Sequence, residues 1–144
     1  MAIHGTDSAV QCLRCGKRGP RETAQQQWEA GVGVPLCACG GPLKPATISF
    51  GQSLVPADLE RALSEAAACD LFVAVGTSLA VGPINEMFSL AARGGAGTAI
   101  LTASPTPFDA AADWKIEDPV ERSLPAVTAT VLHARAGNHP RDRR

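Results

Sequence analysis

No tyrosine occurs in this sequence, and its other aromatics amount to two tryptophans and four phenylalanines. Ala, Val, Leu and Ile must therefore supply most of the packing. An excess of either charge is missing too, because 13 basic and 14 acidic side chains leave a net charge of −1. That balance gives no general pull toward nucleic acid or anionic membrane. No run reaches the roughly 18 apolar residues of a membrane span. The start, MAIHGTDSAV, lacks the basic-then-apolar pattern of a signal peptide. The default expectation is a cytoplasmic protein with no membrane partner.

What is present suffices for one domain of ordinary size. The chain has 144 residues, 45% of them hydrophobic and 19% charged. Five cysteines could form a disulfide framework in a small secreted chain, but the missing signal peptide and the pairwise spacing favour metal thiolates. Cys12-Leu-Arg-Cys15-Gly16 is a CxxCG knuckle whose glycine lets the backbone turn under a metal. After a gap of 21 residues, Cys37-Ala-Cys39-Gly40-Gly41 supplies a second, tighter pair. Four thiolates suit tetrahedral Zn2+ in a closed structural site with no open position for catalysis. The fifth cysteine, Cys69, ends an apolar helical stretch and reads as a small hydrophobe.

Along the chain, residues 1–11 read as a loop or helix end. Residues 17–33 are polar and Gln-rich, a loop with a partial helix and Trp28 as its one large apolar anchor. Ala46 to Phe50 is a short β-prone run between Pro45 and Gly51. Pro56 to Cys69 has helical spacing at Leu59, Ala62, Leu63 and Ala66. Leu71 to Val75 (LFVAV) is continuous and apolar, which predicts a strand buried on both faces of a parallel sheet. Residues 83–93 read as a helix opened by Pro83 and stopped by Gly94-Gly95. Thr98 to Thr102 reads as a second buried strand and Lys115-Ile116 as a short third, while 109–113 is too short to assign. Ser123 to Leu132 reads as a closing helix weakened by Thr128 and Thr130, and residues 133–144 as a disordered basic tail.

Alternating strands and helices in the second half predict an α/β fold with a parallel sheet. Ligands of such sheets sit at the carboxyl ends of the strands. Gly76-Thr77-Ser78 and Thr102-Ala103-Ser104 stand at two such ends and form a candidate nucleotide crevice.

Together these blocks resemble the sirtuins, the NAD-dependent protein deacylases. The resemblance is carried by the CxxC knuckle, the second pair with Gly-Gly, and the Lys-Pro approach to Phe50-Gly51. It continues through Ala68-Cys69-Asp70 to Gly82-Pro83, then Thr106-Pro107-x-Asp109, Ala112-Asp113 and Leu124-Pro125. Ile3-His4-Gly5-Thr6 is similar to the family's catalytic histidine motif, which implies that His4 is a general base on a ribose hydroxyl of NAD.

The resemblance further implies that Gly76, Thr77 and Ser78 meet the phosphate and ribose region of NAD. It places Thr102, Ala103 and Ser104 along the adenosine ribose and Val120 near the adenine. Ile48, Phe50 and Gly51 would border an acyl-lysine channel, where an acylated-lysine peptide adds as an extended strand, with Val81-Gly82-Pro83 as the second edge. Three positions depart from the pattern: Thr102 stands where Asn is usual, Gln52 where Glu is common, and Asp118-Pro119-Val120 replaces a Gly-rich approach.

The resemblance also implies a Gly-Ala-Gly-Ile-Ser type loop, an Arg-containing lid and a Gln-Asn-x-Asp segment, none of which occurs in these 144 residues. The expectation is a partial Rossmann-like parallel sheet with a small zinc module, lacking the N-terminal half of the nucleotide-binding domain. Residues 1–52 would carry the histidine, the zinc module and the cleft strand, and 53–132 the remainder of the NAD-binding domain. The expected chemistry is NAD-dependent lysine deacetylation or deacylation, absent in this chain alone and dependent on a partner N-terminal half. NAD-dependent ADP-ribosyl transfer would use the same site. A non-catalytic zinc module for protein interaction is the reading from a different class. Nucleic-acid binding is not expected, because Lys17, Arg18 and Arg21 are the only local basic cluster and lack interleaved aromatics.

Overall fold

The segment before the first cysteine pair is a strand, not a loop. In the computed structural model, which describes residues 1–137, β1 spans Gly5–Cys12 and buries Val10 and Cys12, two positions apart on one face. It is the middle of a three-stranded antiparallel sheet, between β2 (Arg18–Pro20) and β3 (Leu43–Thr47). The strand expected at 46–50 therefore starts earlier and ends at Thr47. Pro45, taken as a boundary, lies inside it and faces Val10 in the register. An edge strand accommodates a proline because one of its sides needs no donor.

Between β2 and β3 runs α1 (Arg21–Glu29), which has no buried residue. Trp28 is 62% exposed, so the expected anchor is not one. The helix is tied by a polar side chain instead. Gln27 donates from Nε2 to the Leu36 carbonyl at 2.9 Å and accepts the Leu36 N–H at 2.7 Å, joining α1 to the stretch that enters Cys37.

Two units divide after Glu60, within α2 (Pro56–Ala68). The second unit contains a parallel sheet in the order β4 (Leu71–Val75), β5 (Gly97–Leu101), β6 (Trp114–Ile116). Helix α3 (Asn85–Arg93) links β4 to β5, and a single 3-10 turn (Asp109–Ala111) precedes β6. Phe88 of α3 is 1% exposed and packs with Ala74, Leu79 and Ile100. Its ring meets Phe72 edge-on at 6.1 Å and Phe108 at 4.9 Å, within the range where aromatic pairs attract.

Central β5 buries Thr98 through Leu101, as its continuous apolar run predicts. β4 has the same kind of sequence and a different fate. Leu71 is 55% exposed, Val73 and Val75 are exposed as well, and within the strand only Ala74 is buried. The exposed residues Leu71, Val73 and Val75 alternate, so they share one face, and the expectation of burial on both faces fails because that face of the edge strand β4 is uncovered.

The closing helix α4 runs Val120–Gly137, longer at both ends than expected. Its threonines are absorbed by back-bonding: Thr128 donates to the Leu124 carbonyl at 2.8 Å and Thr130 to Ala126 at 3.0 Å. Residues 133–137, expected in a tail, are helical, and the rest of that expected tail lies outside the described residues. Among the described residues no helix is long and apolar enough to cross a membrane.

Candidate functional site

Two tight backbone turns bring four sulfurs together. In the first, Cys12 donates its N–H to the Lys17 carbonyl at 2.9 Å and Gly16 donates to the Cys12 carbonyl at 3.0 Å. In the second, Cys37 donates to Gly41 and Gly40 donates to Cys37, both at 2.8 Å. Leu13 donates to the Pro42 carbonyl at 2.9 Å and locks one turn against the other. Gly41 must be glycine, because a Cβ there would stand 2.6 Å from Arg14 Cβ and 2.7 Å from Cys12 Sγ. The guanidinium of Arg14 crosses between the turns and donates to the Cys39 carbonyl at 3.0 Å.

The Sγ atoms of Cys12, Cys15, Cys37 and Cys39 all lie within 4.8 Å of one another. Cys12 and Cys39 are 3.5 Å apart, and Cys15 and Cys37 are 3.8 Å apart. A tetrahedral ion with bonds of about 2.3 Å needs sulfurs about 3.8 Å apart. The four residues fit Zn2+ in both donor chemistry and spacing. Cys12 is held down at about 6, chiefly by the Cys15 backbone N–H and against the effect of burial. Cys15 is pulled down by the Lys17 backbone N–H, yet the thiols of Cys39, Cys12 and Cys37, together with burial, push it up to about 11. Crowded thiols cannot all ionise beside one another, and a divalent cation removes that conflict. With all four positions taken by sulfur, the ion would be structural.

His4 lies just before β1 and its side chain is exposed. Its carbonyl accepts the Ile48 N–H at 2.8 Å, so the histidine segment is held beside the end of β3. Gly5 makes this approach possible: its φ is +76°, and a Cβ there would collide with the Ala46 carbonyl. Ile48 is half-buried and lines a cavity of about 370 Å3 with Ile3, Thr6, Lys44, Gln52 and Asp58. The Lys44 ammonium is occupied by the Thr47 and Pro45 carbonyls, at 2.5 and 3.1 Å. Phe50 stands 95% exposed beside Gly51, in the turn that follows.

In the second unit, the carboxyl ends of β4 and β5 are tied together. Gly76 donates its N–H to the Leu101 carbonyl at 2.9 Å, which sets Gly76-Thr77-Ser78 next to Thr102-Ala103-Ser104. The Thr77 hydroxyl accepts the Leu79 N–H at 3.2 Å and the Ser78 hydroxyl accepts that of Ala80 at 3.4 Å, shaping the turn. Thr102 donates to Ile116 at 3.1 Å, continuing the sheet toward β6. Val120 is half-buried as the first residue of α4, and Val81 is exposed before α3.

Two aspartates noticed in the sequence only as part of a pattern prove to be structural ties. Asp113 Oδ2 accepts from the buried Thr98, at 2.8 Å from its N–H and 2.9 Å from its hydroxyl. Those same bonds hold the Asp113 carboxyl below its ordinary value. Asp109 accepts the Thr106 N–H at 3.0 Å and hydroxyl at 2.5 Å, and pairs with Lys115 at 2.9 Å. Thr106 first, then Lys115, brings its carboxyl down to about 2.

The model of the Sir2 family matches residues 1–83. The chain belongs to the Sir2 family. NAD-dependent protein deacetylase 2 of Streptomyces coelicolor is 42% identical over 128 residues, covering 88% of this chain and 53% of that relative. NAD-dependent protein deacetylase of Oceanobacillus iheyensis is 36% identical over 117 residues, covering 81% and 47%. Among solved structures, a Sir2–p53 peptide–NAD+ complex superposes with a TM-score of 0.79 at 29% identity, over 89% of this chain and 53% of that one. Sir2Tm bound to a propionylated peptide gives 0.79 at 29% identity, over 89% and 54%. The chain thus spans about half the length of the curated relatives it matches. Sirtuin membership agrees with the α/β fold and the four-cysteine cluster expected from the sequence.

Proposed function

We propose that this chain contributes to NAD-dependent removal of acyl groups from protein lysines. Its share of that site is the zinc module, one wall of an acyl-lysine channel, and the adenosine side of the NAD crevice. The reading rests most directly on the Gly76-to-Leu101 bond, which sets two hydroxyl-bearing strand ends side by side where parallel sheets take nucleotides. Names printed for the relatives support it, since they are NAD-dependent protein deacetylases.

In this reading Ser78 and Thr102 offer hydroxyls, and Gly76 a close backbone, to the ribose and phosphate of NAD. Val120 borders the adenine, and Ala103 and Ser104 lie along the adenosine ribose. Ile48, Phe50 and Gly51 line the acyl-lysine side. His4 takes a proton from a ribose hydroxyl after the acyl oxygen has displaced nicotinamide. With one water consumed, the products are nicotinamide, free lysine and an acylated ADP-ribose. Zn2+, bound by Cys12, Cys15, Cys37 and Cys39, supplies only rigidity. These 144 residues are not expected to deacylate alone, because the Gly-Ala-Gly-Ile-Ser type loop implied by the resemblance is not among them.

Calorimetric titration of NAD into the zinc-loaded chain tests the reading. Saturable binding that is lost in Gly76→Trp is the expected result. No binding by a folded, zinc-loaded wild-type chain would overturn the claim that this chain carries a share of the NAD crevice, and would favour a fragment without nucleotide affinity or a non-catalytic zinc module for protein interaction.

A further inference from the structure

Lys115 occupies a position where the sheet otherwise buries apolar groups. It stands on β6 in register with Ile100 of β5, which in turn faces Ala74 of β4, and both are core residues. A cation there is costly to desolvate, and the cost is offset only by the acceptors it finds. Its side chain is 17% exposed, and Nζ donates to the Ser104 carbonyl and to Asp109 Oδ1, each at 2.9 Å. Asp109 holds Thr106 through two further bonds. One ammonium therefore gathers Ser104, Thr106 and Asp109 of the segment that follows β5.

Phe108 fixes the far end of that segment on the core beside Phe88, but its near end, 103–105, has little else to hold it. Thr102 is tied to Ile116, and Asp109 donates to the Thr106 carbonyl at 3.4 Å. Among the described residues, Ala103, Ser104 and Pro105 make no backbone-to-backbone hydrogen bond. The prolines at 105 and 107 restrict φ but supply no donor.

We propose that Lys115 is a positioning residue for nucleotide binding, whose bond to the Ser104 carbonyl holds Thr102-Ala103-Ser104 in the shape that meets the adenosine ribose. The inference rests on the assignment of those three residues to the ribose under the proposed function. It adds a residue that touches no ligand and acts through the loop.

The test compares wild type, Lys115→Met and Lys115→Arg, each zinc-loaded, by hydrogen exchange and by titration with ADP-ribose. Lys115→Met keeps the apolar stem and removes both bonds. Exchange should quicken at 103–106 while β5 stays protected, and the dissociation constant for ADP-ribose should rise about tenfold, a typical loss for a charged hydrogen bond. Lys115→Arg should recover most of the affinity. Should Lys115→Met not fold, Asp109→Asn removes the paired charge and is expected to weaken ADP-ribose binding in the same direction. Equal affinity in wild type and Lys115→Met would overturn the inference while leaving the nucleotide reading intact. Loss of protection throughout β4 to β6 without rescue by arginine would also overturn it, as a purely structural role. Failure of the wild type to bind ADP-ribose would sink the nucleotide reading itself, and this inference with it.

Discussion

In the first unit the buried apolar side chains are Val10, Cys12 and Ala46, whereas the second buries Leu79, Met87, Phe88, Ile100 and Leu101. Met1–Glu60 is held by two turns, four sulfurs and a three-stranded sheet. The unit from Arg61 onward is held by an aromatic and aliphatic core between α3 and the parallel sheet. A stretch this small buries too little apolar surface to be secure without a staple. The two units therefore answer to different perturbations. One should respond to thiol chemistry and the other to side-chain volume.

Metal removal should separate them most widely. Structural zinc contributes about 10–16 kcal/mol of apparent binding energy in zinc-finger peptides. A strong chelator should therefore abolish hydrogen-exchange protection in β1 and β3 while β5 stays protected. Equal loss in both units would break the distinction. A core truncation should act the other way. Phe88→Ala removes the ring that joins Phe72, Phe108 and Ile100, and a loss of about 3–5 kcal/mol is expected. Denaturation followed at β5 should show that loss, with the bound zinc per chain unchanged.

Acid gives the smallest contrast. An unfolded aspartate takes up its proton near 3.8, whereas folded Asp109 does so only near about 2. Its contribution to stability is complete above the unfolded value and disappears as the pH falls through the folded one. Asp113 is shifted in the same direction by Thr98. Melting temperatures of the second unit should fall by several degrees between pH 4 and about 2. Asp109→Asn should flatten part of that slope, and an unchanged slope would remove Asp109 from the account.

The same contrast explains what the sequence revealed. The metal site was legible because its chemistry is carried by close pairs of one residue type. β5 was legible because a central strand is apolar on both faces. β4 looks identical by its letters, and the exposure of Leu71, Val73 and Val75 on one face depends on what covers that face and not on the run itself. β1 was hidden because Thr6, Asp7, Ser8 and Gln11 break up its apolar residues. Gln27 and Lys115 gave no signal at all. Each acts through a backbone carbonyl distant in sequence, Leu36 for one and Ser104 for the other.

Hydrogen exchange of the zinc-loaded chain with and without saturating NAD tests the central claim most directly. The account predicts new protection at 76–78 and 102–104, with Cys12 to Cys39 unchanged. Protection gained at the cysteine turns instead, or at neither region, would contradict it.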